Sequence, residues 1–415
     1  LFADNSSEDA EEQMIKCGSY TGDANVTQAI DLGWEPQWVL IKDATSTSNW
    51  YILDTMRGWT VNGAYGGDPT LFADSSNAES NQVAGEPTAT GFNAINDGIN
   101  LSGKTYIYMA IRAPMMKEPE AATDVFAVDN AGSGVAPAWE SGFPVDFALY
   151  KSVVGSAGAA IGTRMLGNNE LFANTTAAVA ASTAVQWDYS NGFYDNTSRS
   201  ANHVAWMWKR AKGYMDVVCD TRAFTYGTLN HSLGVVPELI IKKNRSRAST
   251  LWDVMPNVSP YDYRYTFYLN DTQAINGPSG SYWQTAPTDT VFGVNYSGDG
   301  SSNGDNFIYY LFATLAGISK VGSYTGTGSD INVDCGFSAG AKFILIKRTD
   351  ATGDWYLYDT LRGIVAGADP FLKLNTTDAQ NEGNDGIDPL SSGFIVTSSS
   401  SNNTSGGTYL FYAIA

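Results

Sequence analysis

Short apolar runs alternate with polar, glycine-rich segments along the whole chain. Residues 39–41, 239–241 and 343–346 are examples, and each of them is continuously apolar. Runs rich in β-branched and aromatic residues and bounded by Gly, Asn, Asp, Ser and Thr are typical of strands, and continuous ones of strands buried on both faces. Only residues 8–14 suit a short acidic helix, with a linker as the alternative. The pattern predicts an all-β protein.

The same order of motifs occurs twice, about three hundred residues apart. Gly-Ser-Tyr-Thr-Gly stands at 18–22 and at 322–326, and Trp-Tyr-x-x-Asp-Thr-x-Arg-Gly stands at 50–58 and at 355–363. A Phe beside a Gly marks one point about every hundred residues, at Phe92, Phe193, Phe292 and Phe394. This interval is too long for a solenoid repeat, so each unit is a complete small domain.

A second marker has the same spacing. An apolar run that follows a Gly ends on a lysine at Lys42, Lys151, Lys242 and Lys347. We therefore predict four tandem β-sandwich (jelly-roll-like) domains of about one hundred residues, preceded by an N-terminal segment or the stub of an earlier unit at 1–14. The domains are repeat 1 (15–113), a degenerate repeat 2 (120–210), repeat 3 (213–316) and repeat 4 (317–415). The four lysine strands should have equivalent neighbours.

Charge and cysteine content limit the partners. The net charge is −19, and this opposes binding to nucleic acid or to an anionic membrane. No apolar run approaches the roughly 20 residues of a membrane-spanning helix, so membrane insertion is not expected.

We expect buried, reduced thiols at Cys17, Cys219 and Cys335, with Cys17 and Cys219 in equivalent positions. A bond between Cys17 and Cys335 is the alternative.

Catalytic residues are scarce. The two histidines, His203 and His231, fall in different repeats, which excludes a Ser-His-Asp device repeated in each unit and opposes a histidine-rich zinc site. The repeats and short links account for all of the length. We therefore predict that the protein is not an enzyme; a depolymerase with paired carboxylates is the alternative.

An Asp-x-x-Arg motif recurs at Asp54 and Arg57 and at Asp359 and Arg362. It can form a turn in which the carboxylate accepts backbone N–H groups, or an ion pair that holds a ligand. Asp253 stands at the same place in repeat 3 without the Arg, which favours the structural turn.

Two acidic loops have the oxygen-rich, glycine-punctuated character of calcium sites. Neither fits the twelve-residue EF-hand pattern, and turn chemistry also explains them. We expect no cofactor, with calcium as the alternative. The candidate ligands are Asp299, Asp305, Asp385 and Asp388.

Aromatic residues in loops that differ between repeats are the candidate binding residues. A ring can stack on the apolar face of a sugar while nearby Asp or Asn side chains bond its hydroxyls. An edge strand is the alternative for 261–265. These residues are Trp59, Tyr65, Tyr261, Tyr263 and Tyr265. The tryptophans in strand motifs, Trp38, Trp50, Trp206 and Trp355, are expected to be buried.

The order of these motifs resembles a tandem domain of unassigned function in tail-fibre and other virion proteins of marine bacteriophages, cyanophages especially. The shared elements are Tyr-Thr-Gly, Gly-aromatic-Pro, Trp-x-x-x-Asp-Thr-x-Arg-Gly, Leu-x-x-Asn-Thr-Thr and Gly-Phe, and repeats 1 and 4 match best. The resemblance implies a role in a virion or appendage. It brings no catalytic or binding residues.

Together these features predict a non-enzymatic virion structural protein, a tail fibre or appendage that contributes to host-surface attachment. Such a protein assembles in the host cytoplasm and ends in the virion. Its expected partners are other virion proteins, a host cell-surface glycan or protein, and further copies of itself as a homo-oligomer. The alternatives are a structural spacer or capsid decoration protein without receptor binding, and a bacterial glycan-binding adhesin.

Overall fold

The computed structural model describes residues 4, 13–24, 27–61, 68–82, 84–95, 98–113, 117–130, 136–182, 185–195, 202–222, 226–279, 283–295 and 301–415. These residues form strands, turns and two 3-10 helices, Ala122–Asp124 and Arg164–Leu166, with no α-helix among them. The strands form pairs of antiparallel sheets in succession along the chain. The prediction of an all-β fold of tandem β-sandwiches is confirmed.

Repeat 1 is a sandwich of two sheets, with strand orders β1-β9-β3-β4-β5-β6 and β2-β8-β7. Its strands are β1 (Ile15–Thr21), β2 (Thr27–Asp31), β3 (Pro36–Asp43), β4 (Trp50–Asp54), β5 (Asp68–Phe72), β6 (Ser80–Gln82), β7 (Gly85–Thr88), β8 (Gly91–Ile95) and β9 (Thr105–Arg112).

Repeat 2 has the strands β10 (Phe126–Asn130), β11 (Trp139–Glu140), β12 (Phe147–Ser152), β13 (Ala160–Thr163), β14 (Asn169–Phe172), β15 (Ala180–Ala181), β16 (Val185–Gln186), β17 (Gly192–Asp195) and β18 (His203–Trp208). One sheet contains the order β10-β18-β12-β13-β14, and β11 pairs with β17 in the other.

Repeat 3 has β19 (Met215–Thr221), β20 (Tyr226–Asn230), β21 (Leu239–Asn244), β22 (Trp252–Pro256), β23 (Phe267–Tyr268), β24 (Val291–Asn295) and β25 (Asn306–Phe312). Repeat 4 has β26 (Ser319–Thr325), β27 (Ile331–Asp334), β28 (Phe343–Arg348), β29 (Trp355–Asp359), β30 (Leu372–Lys373), β31 (Ile387–Leu390), β32 (Gly393–Val396) and β33 (Thr408–Ile414). The sheet orders are β19-β25-β21-β22-β23 with β20-β24, and β26-β33-β28-β29-β30 with β27-β32-β31.

All four repeats share one topology. In each, the last strand lies between the first strand and the lysine-bearing strand, whose other neighbour is the strand that follows it in the chain. The four marker phenylalanines, all buried, hold equivalent places in the second sheet, where Phe92 pairs with Ile30 and Phe394 with Val333. The prediction that the lysine strands have equivalent neighbours is therefore confirmed.

The equivalent lysine of repeat 3 is Lys243 and not the predicted Lys242. Lys42 pairs with Trp50 and Lys347 with Trp355, but the lysine that pairs with Trp252 is Lys243. Because successive side chains of a strand point to opposite faces, a slip of one residue changes the face. Lys242 lies instead near the Asp253 carboxylate, with 3.3 Å between Nζ and Oδ2. Asp253 is therefore not the equivalent of Asp54, whose place in repeat 3 is taken by Pro256.

The register also corrects the cysteine alignment. Cys17 occupies the same place in the first strand as Val217 and Val321. Cys219 lies two residues further along its strand. All three thiols are free, but only Cys335 is buried, and burial raises its pKa to about 12. Cys17 is exposed, contrary to the expectation of a core thiol.

The chain divides into two compact units. The first comprises Leu1–Met116, Thr163–Asn169 and Ala181–Tyr189, and is therefore mainly repeat 1. The second comprises Lys117–Gly162, Glu170–Ala180 and Ser190–Ala415, and contains repeats 3 and 4 with most of repeat 2. Each sandwich encloses an aromatic core, around Phe92 in repeat 1, Phe292 in repeat 3 and Phe394 in repeat 4.

Candidate functional site

The Asp-x-x-Arg motif forms the same turn in repeats 1 and 4. Asp54 accepts the backbone N–H of Arg57 at 2.8 Å and its Nε at 2.6 Å. Asp359 accepts the same two groups of Arg362 at 2.9 and 2.6 Å. In both turns the guanidinium also donates to a carbonyl of the preceding strand, at 3.2 Å in repeat 1 and 3.1 Å in repeat 4. Each carboxylate therefore closes a bend of the chain.

The turn of repeat 4 also contacts repeat 2. The indole Nε1 of Trp206 donates to Oδ2 of Asp359 at 2.9 Å, and the Arg362 guanidinium lies 5.4 Å from the centre of the Trp206 ring. Both Asp359 and Trp206 are fully buried. A charge-assisted hydrogen bond and a cation–π contact thus join these two repeats.

One backbone hydrogen bond occurs three times in the second compact unit, at corresponding residues. In each case an N–H after the strand equivalent to β30 bonds a carbonyl two residues beyond the buried lysine of another repeat. The bonds, each 2.9 Å long, run from Val179 to Arg245, from Ile275 to Thr349 and from Gln380 to Val153. Repeat 2 therefore donates to repeat 3, repeat 3 to repeat 4, and repeat 4 back to repeat 2. We call this closed set of contacts the repeat ring.

Three equivalent lysines strengthen the same contacts. Each is buried, and burial lowers the pKa of Lys151, Lys243 and Lys347 to about 8. Each ammonium bonds backbone carbonyls of the neighbouring repeat, which offset part of the cost of removing it from water. The bonds run from Lys243 to Thr176 (3.1 Å), from Lys347 to Thr272 and Gln273 (3.1 and 2.9 Å), and from Lys151 to Lys373 and Thr376 (both 2.6 Å).

Tryptophan completes two of the three interfaces. The indole Nε1 of Trp252 donates to Phe172 O at 3.1 Å, and that of Trp355 donates to Tyr268 O at 2.9 Å. Repeat 2 has Ala159 at the corresponding place. There Lys151 itself takes the equivalent carbonyl, that of residue 373. The degenerate repeat keeps its place in the ring by a different donor.

Apolar side chains from all three repeats meet at the centre of the ring. Phe147 packs on Tyr310, Phe312 on Tyr412, and Trp208 on Phe343, with ring centroids 4.6, 4.9 and 5.3 Å apart. A small cavity between them is lined by side chains of repeats 2, 3 and 4. Burial of so much aromatic surface is a large favourable term for holding the repeats together.

The candidate binding residues are engaged inside the protein. Trp59 is 1% exposed, and its Nε1 donates to Gly85 O at 2.9 Å. The Tyr261 hydroxyl bonds Thr349 Oγ1 at 2.7 Å and Thr408 Oγ1 at 3.2 Å, both in repeat 4. Tyr261 thus contributes to the contact between repeats 3 and 4.

Tyr263 and Tyr265 lie beside Tyr261 and are half-buried. Tyr263 packs against the core of repeat 3, and Tyr265 makes an edge-to-face contact with Tyr261 at 5.4 Å between ring centroids. Tyr65 lies outside the described residues. None of the described members of this set is an exposed ring.

The described candidate calcium ligands accept hydrogen bonds from other groups of the protein. Asp305 accepts hydrogen bonds from the Arg247 guanidinium and from Ser302 N, the latter at 2.8 Å, and its pKa lies below the usual value despite burial. Asp388 accepts the Gly367 N–H at 3.3 Å, and the carbonyl of Asp385 accepts from Thr397 Oγ1 at 2.6 Å. Asp299 lies outside the described residues. Within the described ranges, no three acidic, histidine or cysteine side chains are grouped to hold a metal ion.

Sequence patterns pointed to the buried lysine strand but not to its role at the interfaces. The signal was present, since Lys42, Lys151 and Lys347 recur at the end of an apolar run, where a charge is rarely buried without partners. All four strand tryptophans were expected to be buried. Trp206 and Trp355 are enclosed, whereas Trp38 and Trp50 are half-buried. The described part of the chain contains no helix that is long and apolar enough to cross a membrane.

Comparison with curated proteins finds no match. A family model described as a domain of unknown function, DUF7483, matches residues 11–114 and 138–415, which is most of the chain. The matched ranges include all four lysine strands. The protein belongs to the DUF7483 family.

Proposed function

We propose that this chain is a non-enzymatic structural protein of a virion appendage, in which the repeats form a rigid β scaffold. The observation that carries the proposal is the repeat ring, because three repeats use the same backbone, lysine and aromatic contacts to hold one another. The assignment to a virion rests on the sequence resemblance to tandem domains of phage tail-fibre and other virion proteins.

The use of the buried polar groups supports a role without chemistry. Lys151, Lys243 and Lys347 bond carbonyls between repeats, and Asp359 bonds an arginine and an indole. His231 bonds backbone groups of its own repeat, and burial lowers its pKa. These groups are held by neighbouring parts of the protein and stabilise its fold.

Host-surface attachment has less support than a scaffold role. Trp59 is enclosed and Tyr261 bonds the next repeat, so neither presents a free ring to a sugar. The spacer role, which the sequence left as an alternative, therefore becomes the preferred one. Recognition would then belong to other proteins of the same appendage.

Two experiments test these roles. Immunogold labelling and mass spectrometry of virions from the phage that encodes the chain should place it in the particle; its absence from purified virions would refute the virion role. Purified chain should fail to compete with virions for host cells. Competition that saturates would favour attachment over the scaffold role.

A further inference from the structure

The first sheet of repeat 1 has an apolar face that is accessible. We define the outer face of repeat 1 as the side of its β1-β9-β3-β4 sheet opposite the core. Its principal apolar side chains are Trp38, Leu40, Trp50, Ile52, Ile107 and Met109. All of them are half-buried or exposed, and Ile107 is 41% exposed. Isolated apolar residues are common at surfaces, but a contiguous patch on one sheet marks an interaction site.

The same face is covered in the other repeats. The side chains of repeat 4 that match the outer face are all at least 94% buried, and they contact repeats 2 and 3 through the repeat ring. They are Phe343, Leu345, Trp355, Leu357, Leu410 and Tyr412. The lysine strands β12, β21 and β28 are correspondingly buried on both faces, or nearly so, whereas β3 alternates. The structure thus shows what covers this face when its partners are present: two further copies of the same fold.

Repeats 2, 3 and 4 cannot supply those partners in the same manner. Each donates its backbone bond to one neighbour and accepts the bond from the other, so the repeat ring closes at three. A head-to-tail contact that closes leaves no site for a fourth member. Partners that bind repeat 1 by these same contacts must therefore come from other chains.

Repeat 1 retains the polar half of the interface as well. Lys42 bonds Asp43 O and Ser48 O, both at 2.9 Å. Lys347 bonds the two equivalent carbonyls of its own repeat, Arg348 O at 3.0 Å and Gly353 O at 2.9 Å, and in addition two carbonyls of repeat 3. Lys42 therefore already makes the bonds that Lys347 makes within its own repeat. Trp50 also occupies the place of Trp355.

We propose that the outer face of repeat 1 is a homotypic docking surface, at which three chains associate as a homotrimer. Three copies of repeat 1 surround a true threefold axis with the contacts that the repeat ring makes within one chain. By register, the N–H of Glu79 bonds Ala44 O of the next chain, and Lys42 bonds the carbonyls of Ser76 and Asn77 there. Glu79 and Ala44 are both exposed in the single chain. This inference does not depend on the proposed virion role.

The mass of the full chain in solution tests the stoichiometry. Sedimentation velocity or light scattering should give three times the 44.5 kDa of one chain. Ile107→Glu should reduce the mass to that of a single chain, because the trimer would bury an unpaired carboxylate. Tyr226→Glu, at a residue of β20 that is 65% exposed, should leave the trimer intact. Circular dichroism should show that both variants keep the fold.

A disulfide tests the register. Ala44→Cys with Glu79→Cys, in a Cys17→Ser background, should yield a covalent species of three chains on a non-reducing gel, because the residues joined by such a backbone bond lie within disulfide range. Either single variant should give no three-chain band. A monomeric or dimeric parent, a trimer that survives Ile107→Glu, or a double variant without the three-chain band would each overturn the proposal.

Discussion

The indole of Trp206 donates to the carboxylate of Asp359 at 2.9 Å, and so connects the last strand of repeat 2 to the Asp-x-x-Arg turn of repeat 4. Trp206→Phe keeps the apolar ring and removes this charge-assisted bond, so we expect the free energy of unfolding to fall by about 1.5–3 kcal/mol in urea titrations. The matched control is Trp187→Phe, which removes a bond of 2.9 Å to the neutral carbonyl of Gly167 and should cost about 1 kcal/mol. Equal losses of stability in the two variants would mean that the charge of Asp359 does not strengthen its bond to Trp206.

The two Asp-x-x-Arg turns should differ in their sensitivity to mutation. The Asp359 side chain is 0% exposed and that of Asp54 is 18% exposed, while their bonds to arginine have the same length of 2.6 Å. We therefore expect Asp359→Asn to destabilise its compact unit by about 3 kcal/mol and Asp54→Asn to destabilise its own by about 1 kcal/mol, since loss of a buried charge partner costs more. Thermal unfolding of both variants gives the comparison. A larger loss for Asp54→Asn would contradict this order.

Removal of a ring lysine should loosen the contacts between repeats. Lys347→Met leaves four backbone carbonyls without their cation, so we expect a loss of about 3 kcal/mol or more in the stability of the second compact unit. Faster amide hydrogen exchange at Ile275, whose N–H bonds repeat 4, should accompany the loss. Lys117→Met is the control, because that side chain is 79% exposed and should change stability by less than about 0.5 kcal/mol.

Repeat 1 should be less stable above neutral pH than in mildly acidic solution. Burial away from water, aided by the charge of Glu86, raises the pKa of Asp68 from 3.8 to about 7. Between these two values the folded state keeps a proton that the unfolded state has lost, so the free energy of unfolding should fall as pH rises from about 4 to about 7. Urea titrations at about pH 5 and about pH 8 measure the difference, and Asp68→Asn should reduce it. An unchanged difference in the variant would exclude Asp68 as its source.

Local features of the fold could be predicted from the sequence. Strands were visible because apolar runs end at turn residues, and Phe92 and Phe394 marked equivalent buried positions because each sandwich needs the same large ring at its centre. The error at Lys242 arose from the two adjacent lysines of repeat 3. A count of spacing cannot tell which of two neighbours faces a given side, whereas the pairing of Lys243 with Trp252 decides it.

Contacts between repeats could not be predicted in the same way. The bond from Gln380 to Val153 joins residues far apart in the chain, and nothing local in either segment specifies the other. Tyr261 illustrates the consequence. Beside charged residues it resembles an exposed recognition ring, yet its hydroxyl bonds two threonines of another repeat. Recognition and assembly use the same residue types, and only the position of the neighbouring domain separates them.

Because the repeat ring closes at three, the number of repeats in a tandem chain of this fold decides whether all of its interfaces are completed within the chain. A chain with three ring-forming repeats completes its own interfaces, and a chain with six can form two rings. A number that is not a multiple of three leaves at least one sheet uncovered, and that sheet can be covered only by another molecule. Gain or loss of a single repeat by duplication or deletion therefore changes the valence of the whole protein, and with it the number of chains that assemble.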